Sequence, residues 1–459
     1  MRCAKFFLLL AFLSGLLFSA RAAGTNSLVW QTATDRVTAD VRGEALWPLL
    51  EDIAHQTGWH IFVEPDTARN VDVKFSGLPA GEALKKLLGN LNFAFVPRTN
   101  EASQLYVFLT RRENATRLVN AGPAKAVSAK QKHIANELIV KVKPGTDIDA
   151  LAKSLGAKVT GRDDKLGIYK LQFEDAAATD AALEKLKGNT DVDAVDYNYV
   201  YDAPPSPQAI ANAPGGPKPL TLDSSTPSGD PCNPIIGLID TVYQPSGDSL
   251  DQFVMKQVSV VGDDNCPVAG ISHGTAMAKT ILGAISQASG GHTGAKILPV
   301  KVFDCGETAS TWSIALGVQA AVDGGATVLN MSLGGTSDST VLTSIIQQAL
   351  AKGVVIFAAA GNQPVNTPTY PAAISGVNAV TALSAPGQLA AYANYGSFSS
   401  LALPGTSIVY QGGQAWIVQG TSPATAYATG VAVGTKSVDC AGWSQIESAM
   451  QQKFPVPGK

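Results

Sequence analysis

At 459 residues the chain has room for about three domains, each large enough to bury its own core. The 34 basic and 37 acidic residues leave a formal charge of -3, and charged residues make up only 15% of the chain. That balance excludes the strong field that draws nucleic acid or an anionic membrane surface, so electrostatics names no partner.

The first predicted element is a signal peptide over 1–22, because Arg2 and Lys5 precede the apolar run Phe6 to Phe18 and small residues follow at Ala20-Arg21-Ala22. The run is short for a membrane span, and no later stretch approaches the ~18 apolar residues a span requires. The mature chain is therefore expected to be soluble, with no transmembrane span. Cys3 leaves with the signal, so Cys232, Cys266, Cys305 and Cys440 remain, an even number in a compartment that permits disulfides. None is spaced C-x-x-C, which argues against zinc, and free buried thiols are the alternative to disulfides.

Residues 28–110 alternate strand-like and helix-like pieces and read as a compact α+β domain. RVTADV opens it, and Leu46, Leu49, Leu50, Ile53 and Ala54 then recur at helical spacing up to Gly58. WHIFVEP and VDVKFSG follow as strands, GEALKKLLGNL as an amphipathic helix, and FAFVP with QLYVFLT as a closing hairpin. The run from IAHQTGWHIFVEP to VDVKFSGLPAGEALKKLLGNLNFAF resembles the small N-terminal domain of secretins and TonB-dependent receptors. The resemblance implies contact with an envelope protein partner, but no outer-membrane barrel follows, so a spacer is the equal alternative. His55 and His60 read as packing or surface residues rather than metal ligands.

Residues 111–135 are rich in Ala, Lys and Arg without apolar periodicity and read as a linker. Over 136–202 the order is strand NELIVKVKPG, helix IDALAKSLG, strand GIYKLQF, helix DAALEKLKG and strand VDAVDYNYV, which becomes βαββαβ if Lys158 to Arg162 is also a strand. This βαββαβ order predicts one open sheet with helices on one face. The segment is similar to the propeptide of subtilisin-like proteases, which implies a folding chaperone and inhibitor acting in cis. Its last strand is expected to lie in a substrate groove by backbone pairing. Residues 203–231, rich in Pro, Gly and Ser, read as a flexible connector, with the maturation site expected near or within it.

From residue 232 to 459 apolar strands alternate with amphipathic helices, which specifies a parallel sheet covered on both faces. In such sheets a site forms at the carboxyl ends of strands, and Asp240 ends IIGLID while Asn362 follows VVIFAAAG. His273 and Ser422 each open a helix. A serine hydroxyl needs an imidazole to take its proton, and the imidazole needs a carboxylate to fix its tautomer. Ser422, His273 and Asp240 fill those roles, and the Asn362 side chain with the Ser422 N–H supplies donors for an oxyanion.

The motifs LIDT, SHGTAMA, LNMSLGG, AAAGN, YPAAISGVNAVTALS, YANYGSFSSLALPG and GTSPATAYATG occur here in the order seen in subtilisin-like serine proteases. The C-terminal half resembles that family through seven motifs in register. The resemblance implies a bacterial endopeptidase, secreted or periplasmic, that works through an acyl-enzyme on peptide or protein substrates and is made as an autoinhibited precursor. Ser332, Leu333, Gly334 and Gly335 are then expected to form an edge that pairs with substrate backbone, and small Ala359, Ala360 and Gly361 to leave room for a side chain. Gln363 adds no charge there, which predicts an apolar or aromatic preference. The sequence departs from the family at Val242, where glycine is usual, and at Ala276 and Ala426. An inactive, subtilase-like binding protein is the alternative reading.

The expected fold class is α/β, a parallel-sheet subtilisin-like catalytic domain with helices on both faces, preceded by two small α+β domains. Cys232 before the first strand and Cys440 after the serine helix both run to the bottom of the sheet, while Cys266 and Cys305 lie near the active rim. The predicted pairs are Cys232 with Cys440 and Cys266 with Cys305, one of three connectivities. His292 reads as a surface loop residue. No cofactor is expected; relatives of this kind often bind calcium, yet no aspartate cluster shows calcium-loop spacing, and Gly262 to Asn265 reads as a solvated turn.

Overall fold

The structure is a computed structural model that describes residues 27–457 apart from 32–35, 65–66, 68, 98–102, 116, 120–131, 211–219, 221, 225–231, 263–267, 269, 306, 386 and 391. The expected signal segment lies outside the described residues. No helix among the described residues is long and apolar enough to cross a membrane.

The chain divides into two compact units, Met1–Ala121 and Gly122–Lys459. In the first, the helix Leu46–Thr57 buries the apolar stripe of Leu46, Leu49, Leu50, Ile53 and Ala54. It stops where Gly58 takes a left-handed conformation at φ 71°, which a glycine adopts without steric cost. Two sheets complete the unit, one of Ser27–Gln31, Arg36–Ala45 and Asn70–Pro79, the other of four strands. The fourth, Arg117–Val119, pairs antiparallel with His60–Val63 and corrects the expected linker start at 111. Three residues are too few to give a readable alternation, and pairing rather than propensity makes them a strand. His60 is exposed on its strand.

The second unit opens with a βαββαβ module, His133–Val142, Ile148–Ser154, Lys158–Asp163, Ile168–Gln172, Ala176–Lys187 and Val192–Asp202. Its first strand begins at His133, three residues before the expected boundary at 136. The strands form an antiparallel sheet with His133–Val142 between Ile168–Gln172 and Val192–Asp202. Because side chains alternate across a strand, Leu138 and Val140 pack under the module's own helices, while Ile139 joins the core of the domain that follows. One sheet thus carries two cores.

That following domain is built on parallel strands in the spatial order Lys296–Lys301, Ile235–Asp240, Ala326–Met331, Val355–Ala359 and Asn378–Ala385. The helices His273–Ser289 and Thr421–Asp439 cover one face, and Thr311–Asp323 with Thr340–Ala351 cover the other. Burial on both faces explains why these strands read as continuous apolar runs. The first strand, Ile235–Asp240, has its two sequence successors on opposite sides, so Asp240 stands at the switch point of the sheet.

A disulfide joins Cys232, just before that first strand, to Cys440, which caps the serine helix, with Cα atoms 4.8 Å apart. Cys305 is also disulfide-bonded, and Cys266 lies outside the described residues, as do residues 263–265 of the expected turn. The connector 203–231 is not free throughout. Gln208–Ala209 pair with the strand Gln414–Gln419, and Asp223 bridges exposed His292. Polar and proline-rich composition signals a poor core former, but backbone pairing to an existing edge needs no core of its own.

Candidate active site

Asp240 and His273 meet because the turn after the first strand is sewn to the first turn of the histidine helix. Ser272 caps that helix by accepting from Thr275 N–H at 3.1 Å, and its hydroxyl donates to Val242 O at 2.6 Å. Gly274 N–H donates to Thr241 Oγ1 at 2.8 Å. Val242 takes part only through its carbonyl, so replacing the family's usual glycine leaves this joint intact.

His273 Nδ1 then lies 2.8 Å from Asp240 Oδ1, with both residues buried at 3% and 1% exposure. An ionised carboxylate only accepts, so Nδ1 carries a proton, and in the neutral form of the ring Nε2 is the nitrogen with the lone pair. Asp240 Oδ1 also accepts from Thr241 N–H at 2.7 Å, which fixes the carboxylate plane. His273 Nε2 is buried and has no hydrogen-bond partner among the described residues. A neutral imidazole held in one tautomer with a free nitrogen is a general base awaiting a proton.

Ser422 stands in the first turn of the helix Thr421–Asp439, where backbone N–H groups have no partner within the helix and the dipole favours negative charge. Gly430 and Gly434 let this helix approach the histidine helix closely; a Cβ on them would sit 2.5 and 2.7 Å from the Cβ atoms of Ala284 and Ala288. The two helices therefore run parallel, and counting back along both brings Ser422 level with Ala276, one turn from His273. In this form the Ser422 hydroxyl donates to Ser332 O at 3.4 Å and not to the imidazole.

Thr421, which sequence reasoning passed over, orients Asn362. Its N–H donates to Asn362 Oδ1 at 2.8 Å and its hydroxyl to the same oxygen at 3.1 Å. With the oxygen so fixed, Asn362 has its Nδ2 amide left as donor. Gly420 makes room for it at φ 147°, where a Cβ would press to 3.0 Å from Asn362 Nδ2. Only glycine holds that conformation without strain.

One pocket contains Ser332, Leu333, Gly334, Gly335, Ala359, Gly361, Asn362, Gln363, Thr421 and Ser422, together with Thr369 and Asn394. Ala360 is the exception among the expected pocket residues. It is fully buried, and its N–H donates to Val380 O at 2.9 Å. Of the expected substrate edge Ser332 to Gly335, Gly335 pairs with Tyr370, and the pairing with an incoming strand lies on another edge. Val200–Asp202 of the prodomain-like module pair antiparallel with Thr308–Ser310, a strand too short to stand out by pattern. Asp196 and Asn198 of the same module cap two helices of the catalytic domain. Asp196 Oδ2 accepts from Val341 N–H at 2.8 Å and Ser339 Oγ at 2.9 Å, and Asn198 Oδ1 accepts from Trp312 N–H at 3.1 Å.

The profile of the subtilase family matches residues 187–453, and that of the fervidolysin N-terminal prodomain matches 120–198. Thermitase of Thermoactinomyces vulgaris is 34% identical over 203 residues, 43% of this chain and 72% of that protein. A thermophilic serine proteinase of a Bacillus species is 29% identical over 318 residues, 66% of this chain and 78% of that protein. The crystal structure of fervidolysin from Fervidobacterium pennivorans, a keratinolytic enzyme, superposes at a TM-score of 0.57 with 20% identity, covering 71% of this chain and 58% of that one. The chain belongs to the subtilase family of serine endopeptidases. Residues 120–198 form its fervidolysin-like prodomain. The family matches begin at residue 120 and give no support to the envelope partner expected for the first module.

Proposed function

We propose that this chain is an exported bacterial endopeptidase that hydrolyses peptide bonds through an acyl-enzyme on Ser422. The observation that carries the reading is the buried Asp240–His273 pair, 2.8 Å apart, with His273 Nε2 unpartnered among the described residues. The Ser422 hydroxyl turns from Ser332 O to His273 Nε2, which takes its proton as Oγ bonds to the substrate carbonyl carbon. His273 then passes that proton to the leaving nitrogen as the carbon–nitrogen bond breaks, and water repeats the sequence on the ester. Asp240 holds the tautomer and stabilises the imidazolium. Asn362 Nδ2 and the Ser422 N–H stabilise the oxyanion.

The primary pocket suits an apolar or aromatic side chain. Gln363 brings no charge, Asn394 Nδ2 donates to Thr369 Oγ1 at 2.9 Å and Asn394 Oδ1 accepts from Gln363 N–H at 2.8 Å, leaving little there to reward a charged guest. The segment 1–22 directs export to the periplasm or beyond, and the prodomain holds the enzyme inactive in cis until it is cut away. Purified precursor and its Ser422→Ala form, each incubated with an unfolded protein substrate, test the reading. The wild type should process itself and fragment the substrate, whereas the alanine form should do neither; equal fragmentation by both overturns it.

A further inference from the structure

The chain that leaves the prodomain runs through the active-site cleft. On the acyl side Val200, Tyr201 and Asp202 pair with Ser310, Ala309 and Thr308, and Ala203 N–H donates to Glu307 O at 2.8 Å. Ala203, Pro204 and Pro205 then line the pocket that holds Ser422 and Asn362. Beyond it, Gln208 and Ala209 pair antiparallel with Ile417 and Trp416. Ile210 N–H donates to Ala415 O at 2.9 Å, and Gln414 Nε2 donates to Ile210 O at 2.9 Å. That second edge, Gln414–Gln419, leads directly into Gly420 and Ser422. The chain is therefore pinned by backbone pairing before and after the nucleophile, in the manner of a polypeptide substrate bound on both its acyl and its leaving-group side.

Between the two pinned stretches lie Pro204, Pro205, Ser206 and Pro207, so every peptide bond from Ala203 to Gln208 has proline on at least one side. Resting on the peptidase reading above, we infer that Val200–Ile210 is a built-in substrate mimic that fills the cleft on both sides of Ser422 and resists cleavage because of these prolines. Acylation forms the bond from Ser422 Oγ to the carbonyl carbon and breaks the bond to nitrogen, which must take a proton from the His273 imidazolium. Where that nitrogen is proline's, the ring carbon Cδ occupies space beside it and obstructs the approach of the imidazolium. Where proline instead supplies the carbonyl, its φ is locked near -65° and it has no N–H to pair with a strand edge, so the carbonyl is not held in the extended geometry of a bound substrate. The pairing at both ends acts at the high effective concentration of a tethered ligand, and the middle does not react.

The test compares full-length precursor with the variant Pro204→Ala/Pro205→Ala/Pro207→Ala, each made both with Ser422 and as its Ser422→Ala form, by intact mass and N-terminal sequencing. The triple variant with Ser422 should be cut between residues 203 and 208 at least about tenfold faster than wild type, and its Ser422→Ala form should remain whole there. A wild-type precursor cut in this stretch as fast as the triple variant overturns the inference. So does a triple variant that stays whole there although a fluorophosphonate labels Ser422 once the prodomain is removed. If a fluorophosphonate never labels Ser422 in any form, the inference falls together with the reading it rests on.

Discussion

Thr421 settles what Asn362 can do. By occupying Asn362 Oδ1 with both its N–H and its hydroxyl, it leaves the amide nitrogen as the group available to a developing oxyanion. Removing one such donor typically costs about 3 kcal/mol in the barrier. Asn362→Ala should accordingly lower kcat by about 10²–10³-fold with little change in KM, because the oxyanion exists only in the transition state and the intermediate beside it. Steady-state kinetics on a peptide substrate measures both constants, and a rise in KM at constant kcat would assign Asn362 to ground-state binding instead. At this scale the four residues proposed to do the chemistry were legible, since Asp240 ends a strand, His273 and Ser422 stand in the first turn of a helix and Asn362 follows a strand, each within a distinctive motif. Thr421 and Ser272 were not, because a threonine or serine at a helix start reads as an ordinary cap until its partner across the fold is known.

The strand Val192–Asp202 does more than its sequence pattern foretells. It pairs within its own sheet, with the catalytic edge Thr308–Ser310, and caps two catalytic helices through Asp196 and Asn198. Burial raises the Asp196 carboxyl above its ordinary value of 3.8, and the donations from Val341 N–H, Ser339 and Thr340 pull it down without fully offsetting this. A carboxyl whose folded value is raised contributes stability that is complete below the unfolded value and lost as pH rises through the folded one. Unfolding of the Ser422→Ala precursor, compared with Ser422→Ala/Asp196→Asn from pH 3 to 8, should show the aspartate's advantage shrinking as pH rises. A difference that is flat, or grows toward neutral pH, would contradict this account. The prodomain order was readable from alternating periods except for its second strand, Lys158–Asp163, which entered only as a condition, whereas Arg117–Val119 and Gln208–Ala209 became strands only because a waiting edge pairs with them.

Across the whole second unit, prodomain and catalytic domain share apolar packing. Ile139, Ile168 and Tyr201 belong to the same core as Val318, Leu329 and Ile345. The parallel sheet was legible as continuous apolar runs, and the prodomain's second apolar face was present in the alternation of its first strand, but which surface would cover that face could not be read from either segment alone. The packed sheet sets Asp240 against His273, and Ser422 opens the helix that packs on the histidine helix; the proposal that acid, imidazole and alcohol act together is the centre of the account. Reaction of the processed enzyme with a fluorophosphonate, followed by peptide mapping, tests it most directly. The account predicts a single adduct on Ser422, formed at least about 10³-fold more slowly when His273 is replaced by alanine; labelling of a different residue, or labelling of Ser422 at an unchanged rate in His273→Ala, would contradict it.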